Sequence, residues 1–241
     1  MSDIYNTPKA ELQDKLESGE YGSIQRAIEG DYNFEIGAII EEAWQKVSGA
    51  KLQIMIATLL VFLISFAVSF ASEFLIGQLG IVGAITSQLV IALLTTPLTV
   101  GLMILGVRRS VDSPIEFSQV FSFYNKSLPL LGLYIVMTIL ILIGFVLLIV
   151  PGIYLSIAYA MALPLMAEKE MGIWESLETS RKAITKKWFP FFGFFIVMML
   201  IMLAGALALG IGLIWAMPLT VIAYGIVYRN MFGVEEKTLN S

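Results

Sequence analysis

Cysteine and histidine are both absent from the 241 residues. Without cysteine there is no disulfide framework, no thiolate metal site and no cysteine nucleophile. Without histidine, the commonest metal ligand and general base is missing too. Charge is also scarce, at 14% of residues against 58% hydrophobic, where a soluble domain is about a quarter charged. That apolar excess does not fit inside one soluble core. These shortages exclude most hydrolase, zinc and redox mechanisms, leaving carboxylates, hydroxyls and amines. No catalytic residue, metal site or cofactor is expected.

The net charge of −4 is unevenly spread. Residues 1–50 hold ten of the nineteen acids against four basic residues, so the rest of the chain is net positive and charge gives nucleic-acid binding no support. The same segment lacks the short apolar core of a signal peptide, so insertion is expected to be directed by the transmembrane helices themselves.

What is present is long apolar runs. Residues 127–167 and 188–228 are two stretches of 41 residues without a charge. A helix rises about 1.5 Å per residue and a hydrocarbon core is about 30 Å thick, so each run has the length of two spans. Turn signals at Pro151-Gly152 and at Gly210-Ile211-Gly212 suit hairpins. Upstream, 52–107 carries only Glu73 and reads as a third hairpin, with spans near 52–72 and 84–107 and a connector at 73–83. The arm after Pro151-Gly152 is short for a span and is expected to continue toward Lys169 and Glu170.

All fifteen basic residues lie in the N-terminal segment through Lys51, in 108–126, in 169–187 or near the C-terminus. Lysine and arginine collect on the cytoplasmic side of short loops, so six spans with both termini cytoplasmic are expected.

Each hairpin follows a segment with helical apolar spacing, at 34–48, 114–124 and 173–188. The second has a start signal: Ser113 as N-cap, Pro114 first and Glu116 three residues after the cap. Such helices suit the headgroup plane. A Pro-Leu pair then falls in each second arm, at Pro97, Pro164 and Pro218. The unit is an amphipathic helix followed by a hairpin, three times, either by divergent repetition or by chance matching of apolar sequence. The fold expected is all-α and polytopic: an acidic N-terminal segment (1–33), a six-helix membrane domain (34–233) and a C-terminal tail (234–241). The acidic segment could fold back, dock a partner or stay mobile.

Residues 150–190 carry a Pro-Gly-Ile-Tyr-Leu turn at 151–155, then Pro164, Glu168, Ser176-Leu177, Ser180-Arg181 and Lys187-Trp188. This pattern, with the EEAWQKVSGAK entry before the first span, resembles bacterial YciC-like integral membrane proteins and the membrane domain fused to some glycerophosphodiester phosphodiesterases. The resemblance implies a fold and a bacterial inner-membrane location. Members of that family often carry a basic residue after the Tyr-Leu pair, where this chain has Ser156 and Ile157. No phosphodiesterase domain is read from the sequence.

Two site candidates follow. Arg181, Lys182, Lys186 and Lys187, with Trp174 and Trp188, could grip anionic lipid, or the cations could only set topology. Thr95, Thr96 and Thr99 around Pro97, with Pro164 and Pro218, could line a substrate groove, or serve helix packing. No span has an ionisable residue at mid-depth, which argues against ion-coupled transport. The function expected is a non-enzymatic accessory or scaffold that engages lipid, a partner membrane protein or a second copy of itself through its cytoplasmic-side helices. The alternative is a transporter or flippase for an uncharged or amphiphilic substrate.

Overall fold

The computed structural model describes residues 21–239, all-helical and without a strand. The expected acidic N-terminal segment, 1–33, thus lies mostly outside the described residues. Ten α-helices follow in order: α1 (Ile24–Glu29), α2 (Ile36–Val47), α3 (Lys51–Ser72), α4 (Gly80–Ser110), α5 (Ser127–Leu147), α6 (Ile149–Ala158), α7 (Ala162–Lys169), α8 (Ile173–Thr185), α9 (Trp188–Leu207) and α10 (Leu213–Phe232).

Five segments are long and apolar enough to cross a membrane: Lys51–Gly77, Gly80–Ser110, Phe117–Leu147, Ile149–Lys169 and Trp188–Leu207. The sixth expected span, α10, matches them in length but carries Pro218, Thr220, Tyr228, Arg229 and Asn230 and is not among the five.

The first hairpin is tighter than expected. α3 runs through a single π turn at Glu73–Gly77, and α4 begins at Gly80. The connector is therefore short, and at about 1.5 Å per residue the arms reach roughly 40 and 46 Å. Lengths beyond a core of about 30 Å require tilt or protrusion.

The segment after α4 is not the interfacial α-helix expected at 114–124. It forms two 3₁₀ pieces, Phe117–Phe121 and Tyr124–Lys126, and Glu116 rather than Ser113 is the N-cap. The reason is tertiary: the segment folds back along α4. A Cβ on Gly101 would meet the Val120 carbonyl at 2.2 Å, and the Tyr124 hydroxyl donates to the Leu94 carbonyl at 2.9 Å. Val120 is buried with Ala57, Leu98 and Leu105.

The second hairpin departs furthest from expectation. The chain reverses at Leu148, in extended backbone, and Pro151 lies in the first turn of α6, where a missing N–H costs nothing. The arms meet where a Cβ on Gly144 would lie 3.0 Å from Gly152. The return arm then breaks at Tyr159–Met161, and Ser180 stitches the break: its hydroxyl donates to the Ala158 carbonyl at 2.7 Å and accepts from the Met161 amide at 3.1 Å. As expected, the arm ends at Lys169, with Glu170 in the left-handed cap position.

An upright second hairpin would put Pro151 and Trp188 on opposite sides of the bilayer. Instead, Val150, Pro151, Ile153 and Tyr154 border one apolar groove of about 780 Å³ with Trp188, Phe189 and Phe192. The Trp188 indole also donates to the Tyr154 carbonyl at 3.3 Å. The second hairpin therefore runs obliquely to the third. The prolines differ as well, since Pro97 and Pro218 lie inside helices and Pro164 in a first turn. That removes one support for a threefold repeat.

The third hairpin, α9 and α10, turns at 208–212 as expected. α10 packs on α4 at a glycine crossing: a Cβ on Gly225 would lie 2.1 Å from the Gly106 carbonyl, and one on Gly106 would lie 2.1 Å from the Val221 carbonyl. Small residues let two backbones approach this closely. Gly225→Val is expected to cost about 2–3 kcal/mol by overpacking, read as a lower thermal midpoint in detergent. Gly37→Ala, where nothing lies within 4 Å, should leave the midpoint unchanged or raise it; equal loss in both would refute the crossing.

Candidate functional site

The polar chemistry concentrates where α2, α4, α7 and α10 end. Arg229 is buried, and its guanidinium forks onto the Glu42 carboxylate at 2.7 and 2.9 Å while also donating to the Ser110 carbonyl at 2.6 Å and to Asn230. A bidentate Arg–carboxylate pair fixes orientation as well as charge. Arg109 donates to the carbonyls of Lys46 and Ser48, both at 2.9 Å, and Lys46 pairs with Asp112.

A second centre surrounds Glu168. Its buried carboxylate accepts from the Tyr228 hydroxyl and the Thr238 hydroxyl, each at 3.0 Å, and from the Glu235 amide, with the Lys169 ammonium at 3.4 Å. A buried carboxylate is tolerated when its lone pairs are occupied in this way. It ties residues 235–238 to α7 and α10. Nearby, hydrogen bonds from Lys126 and Lys237 hold the exposed Glu170 carboxyl below the usual range. Neither centre is visible in the sequence, because Glu168 and Arg229 sit at the ends of apolar runs and their long-range partners lie 60 to 187 residues away.

The expected lipid patch is only partly assembled. Arg181 donates to Glu178 at 2.7 and 2.9 Å, and Lys182 lies 3.5 Å from the same carboxylate. The hydrogen bond from Arg181 depresses the Glu178 carboxyl, while Glu178 and then Tyr154 raise Arg181. Lys187 donates to the Tyr32 carbonyl and lies over the Tyr32 ring. Lys186 is exposed and packs its stem on Gly30. Trp174 is 65% exposed, whereas Trp188 is half-buried and stacks on Phe192. The apolar side of α8, Leu177 and Ile184, is filled by protein rather than left for acyl chains.

The expected groove is also partial. Thr95, Thr96 and Thr99 border a cavity of about 110 Å³ with Gln88, Ile91, Ala92, Tyr134 and Leu163. Pro97, Pro164 and Pro218 do not border it. Among the described residues, no three acidic groups gather as a metal site requires.

Two outcomes are expected. Glu42→Gln should cost about 2 kcal/mol in detergent unfolding, less than the 3–5 of a fully buried pair because Glu42 keeps a third of its side-chain surface exposed. The Glu178–Arg181 pair stabilises above the ordinary carboxyl pKa and is lost as pH falls through the depressed one. The acid limb of a pH–stability profile should therefore flatten in Glu178→Gln, and an unchanged limb would dismiss the pair. In comparisons with known protein families, curated proteins and solved structures, nothing matches the chain.

Proposed function

We propose that this chain is a non-enzymatic, multi-pass inner-membrane accessory or scaffold protein that holds a partner membrane protein or lipid against its outer helices and charged end. The observation that carries this reading is uncovered apolar surface. Only 11% of the most apolar 18 residues of Lys51–Gly77 is buried, with 17% for Phe117–Leu147 and 22% for Trp188–Leu207. On α3 and the π turn after it, Phe62, Phe66, Phe70 and Phe74 form an exposed ladder with neighbouring rings 6.3 to 6.4 Å apart. The polar-lined cavities are small, at about 280, 190 and 110 Å³.

Six spans with both termini cytoplasmic belong to this reading. The Gly22 amide donates to the Arg229 carbonyl at 3.2 Å, so the two ends of the described chain lie together, which supports an even number of crossings. With five apolar segments, α10 is counted as the sixth, and the second hairpin, whose turn lies beside Trp188, is the one that departs from an upright crossing. The positive-inside rule assigns the shared end to the cytoplasm, and the YciC-like resemblance of 150–190 agrees with that placement. A second reading, a transporter or flippase for an uncharged amphiphile, draws on the threonine-lined cavity.

The cysteine-free chain allows a direct test of orientation. An impermeant maleimide added to intact spheroplasts should label Gln78→Cys and spare Lys182→Cys; the reverse pattern overturns the topology. For the scaffold role, a photo-crosslinker at Phe66 or Phe70 in native membranes should trap one reproducible protein. Lipid adducts alone would refute a protein partner.

A further inference from the structure

The 110 Å³ cavity lies where three apolar segments meet: Gly80–Ser110 contributes Gln88, Ile91, Ala92, Thr95, Thr96 and Thr99, Phe117–Leu147 contributes Tyr134, and Ile149–Lys169 contributes Leu163. In hydrocarbon there is no bulk water to satisfy a polar group, so each needs a partner within the protein or from a ligand. Two of these groups are provided for locally. The Thr95 hydroxyl donates to the Ile91 carbonyl at 2.9 Å, and that of Thr99 donates to the Thr95 carbonyl at 3.1 Å. Both oxygens keep a lone pair to accept with. The side chains of Gln88, Thr96 and Tyr134 have no hydrogen-bond partner among the described residues. Thr96 is buried, Tyr134 half-buried, and Gln88 and Thr99 exposed, so the polar floor opens outward through a polar rim. Beside the rim, Ile85, Leu89 and Leu94 are exposed, as acyl-facing residues are.

We infer that this cavity binds the head of an uncharged, hydroxyl-bearing lipid, with its acyl chains lying along the outer face of α4. The lining offers donors from Gln88, Thr96 and Tyr134 and acceptors from Gln88, Thr95 and Thr99, and it contains no charged side chain. A free alcohol next to an ester carbonyl uses both kinds of group. A phosphate would enter without a counter-charge, which the site disfavours. The inference concerns a different surface from the phenylalanine ladder and charged end of the scaffold reading, and either can fail without the other.

The test uses the full chain in nanodiscs containing 1,2-dioleoylglycerol, with lipids retained on release read by native mass spectrometry. Two probes control for chemistry: the same lipid with its hydroxyl capped as a methyl ether, and dioleoylphosphatidylglycerol. The free alcohol should be retained over both. The near-isosteric double variant Thr96→Val/Tyr134→Phe should lower its retention about tenfold, the worth of one to two hydrogen bonds. Leu163→Phe should displace the lipid with the polar groups intact. Thermal midpoints establish that each variant is folded. Equal retention of the capped lipid, unchanged retention in the double variant, or no lipid on the wild-type chain would each overturn the inference.

Discussion

The close crossing of α4 and α10 is the constraint on which the arrangement depends. At Gly106 and Gly225 the backbones approach closely enough that neither position has room for a Cβ. One helical turn further on, Arg229 reaches the Ser110 carbonyl on one side and Glu42 on the other. The crossing thus sets the distance that lets one guanidinium join α2, α4 and α10. Removing a charged pair from water is costly, and here two carboxylate bonds, a carbonyl and an amide offset that cost. Packing in the bundle and charge at its end are one device.

Much of the helical outline was legible in the sequence because it follows from composition and period. Apolar runs of span length, the turn at 208–212, the stop after Lys169 and the helices at 36–47 and 173–185 need only local information. The reversal at Leu148 was not legible, since Pro151-Gly152 is the stronger local turn signal. What moves the turn is the fit of Gly144 against Gly152, a contact across the hairpin. The fold-back of 117–126 was hidden for the same reason, because Gly101 reads as an ordinary glycine until Val120 is seen against it.

The sites divide in the same way. Thr95, Thr96 and Thr99 share a helix, so their spacing predicts a common side, and they do border one cavity. Tyr134, Gln88 and Leu163 complete it from positions that no periodicity connects. The four cations of 181–187 are adjacent in sequence, yet Glu178 holds two of them and Tyr32 a third. Clustering along a chain says where charge is, whereas availability depends on which acids and carbonyls the fold brings near.

The bond pattern of Ser180 bears on how the protein moves. A break between two helices within an apolar segment ordinarily leaves unpaired backbone groups and so a soft joint. Here a hydroxyl from α8 occupies the carbonyl before the break and the amide after it. α6, α7 and α8 are thereby bonded together across the interrupted backbone, and Glu168 links α7 to residues 235–238. The second hairpin is thereby connected to the last described turn of the chain through bonded groups on both sides of the break.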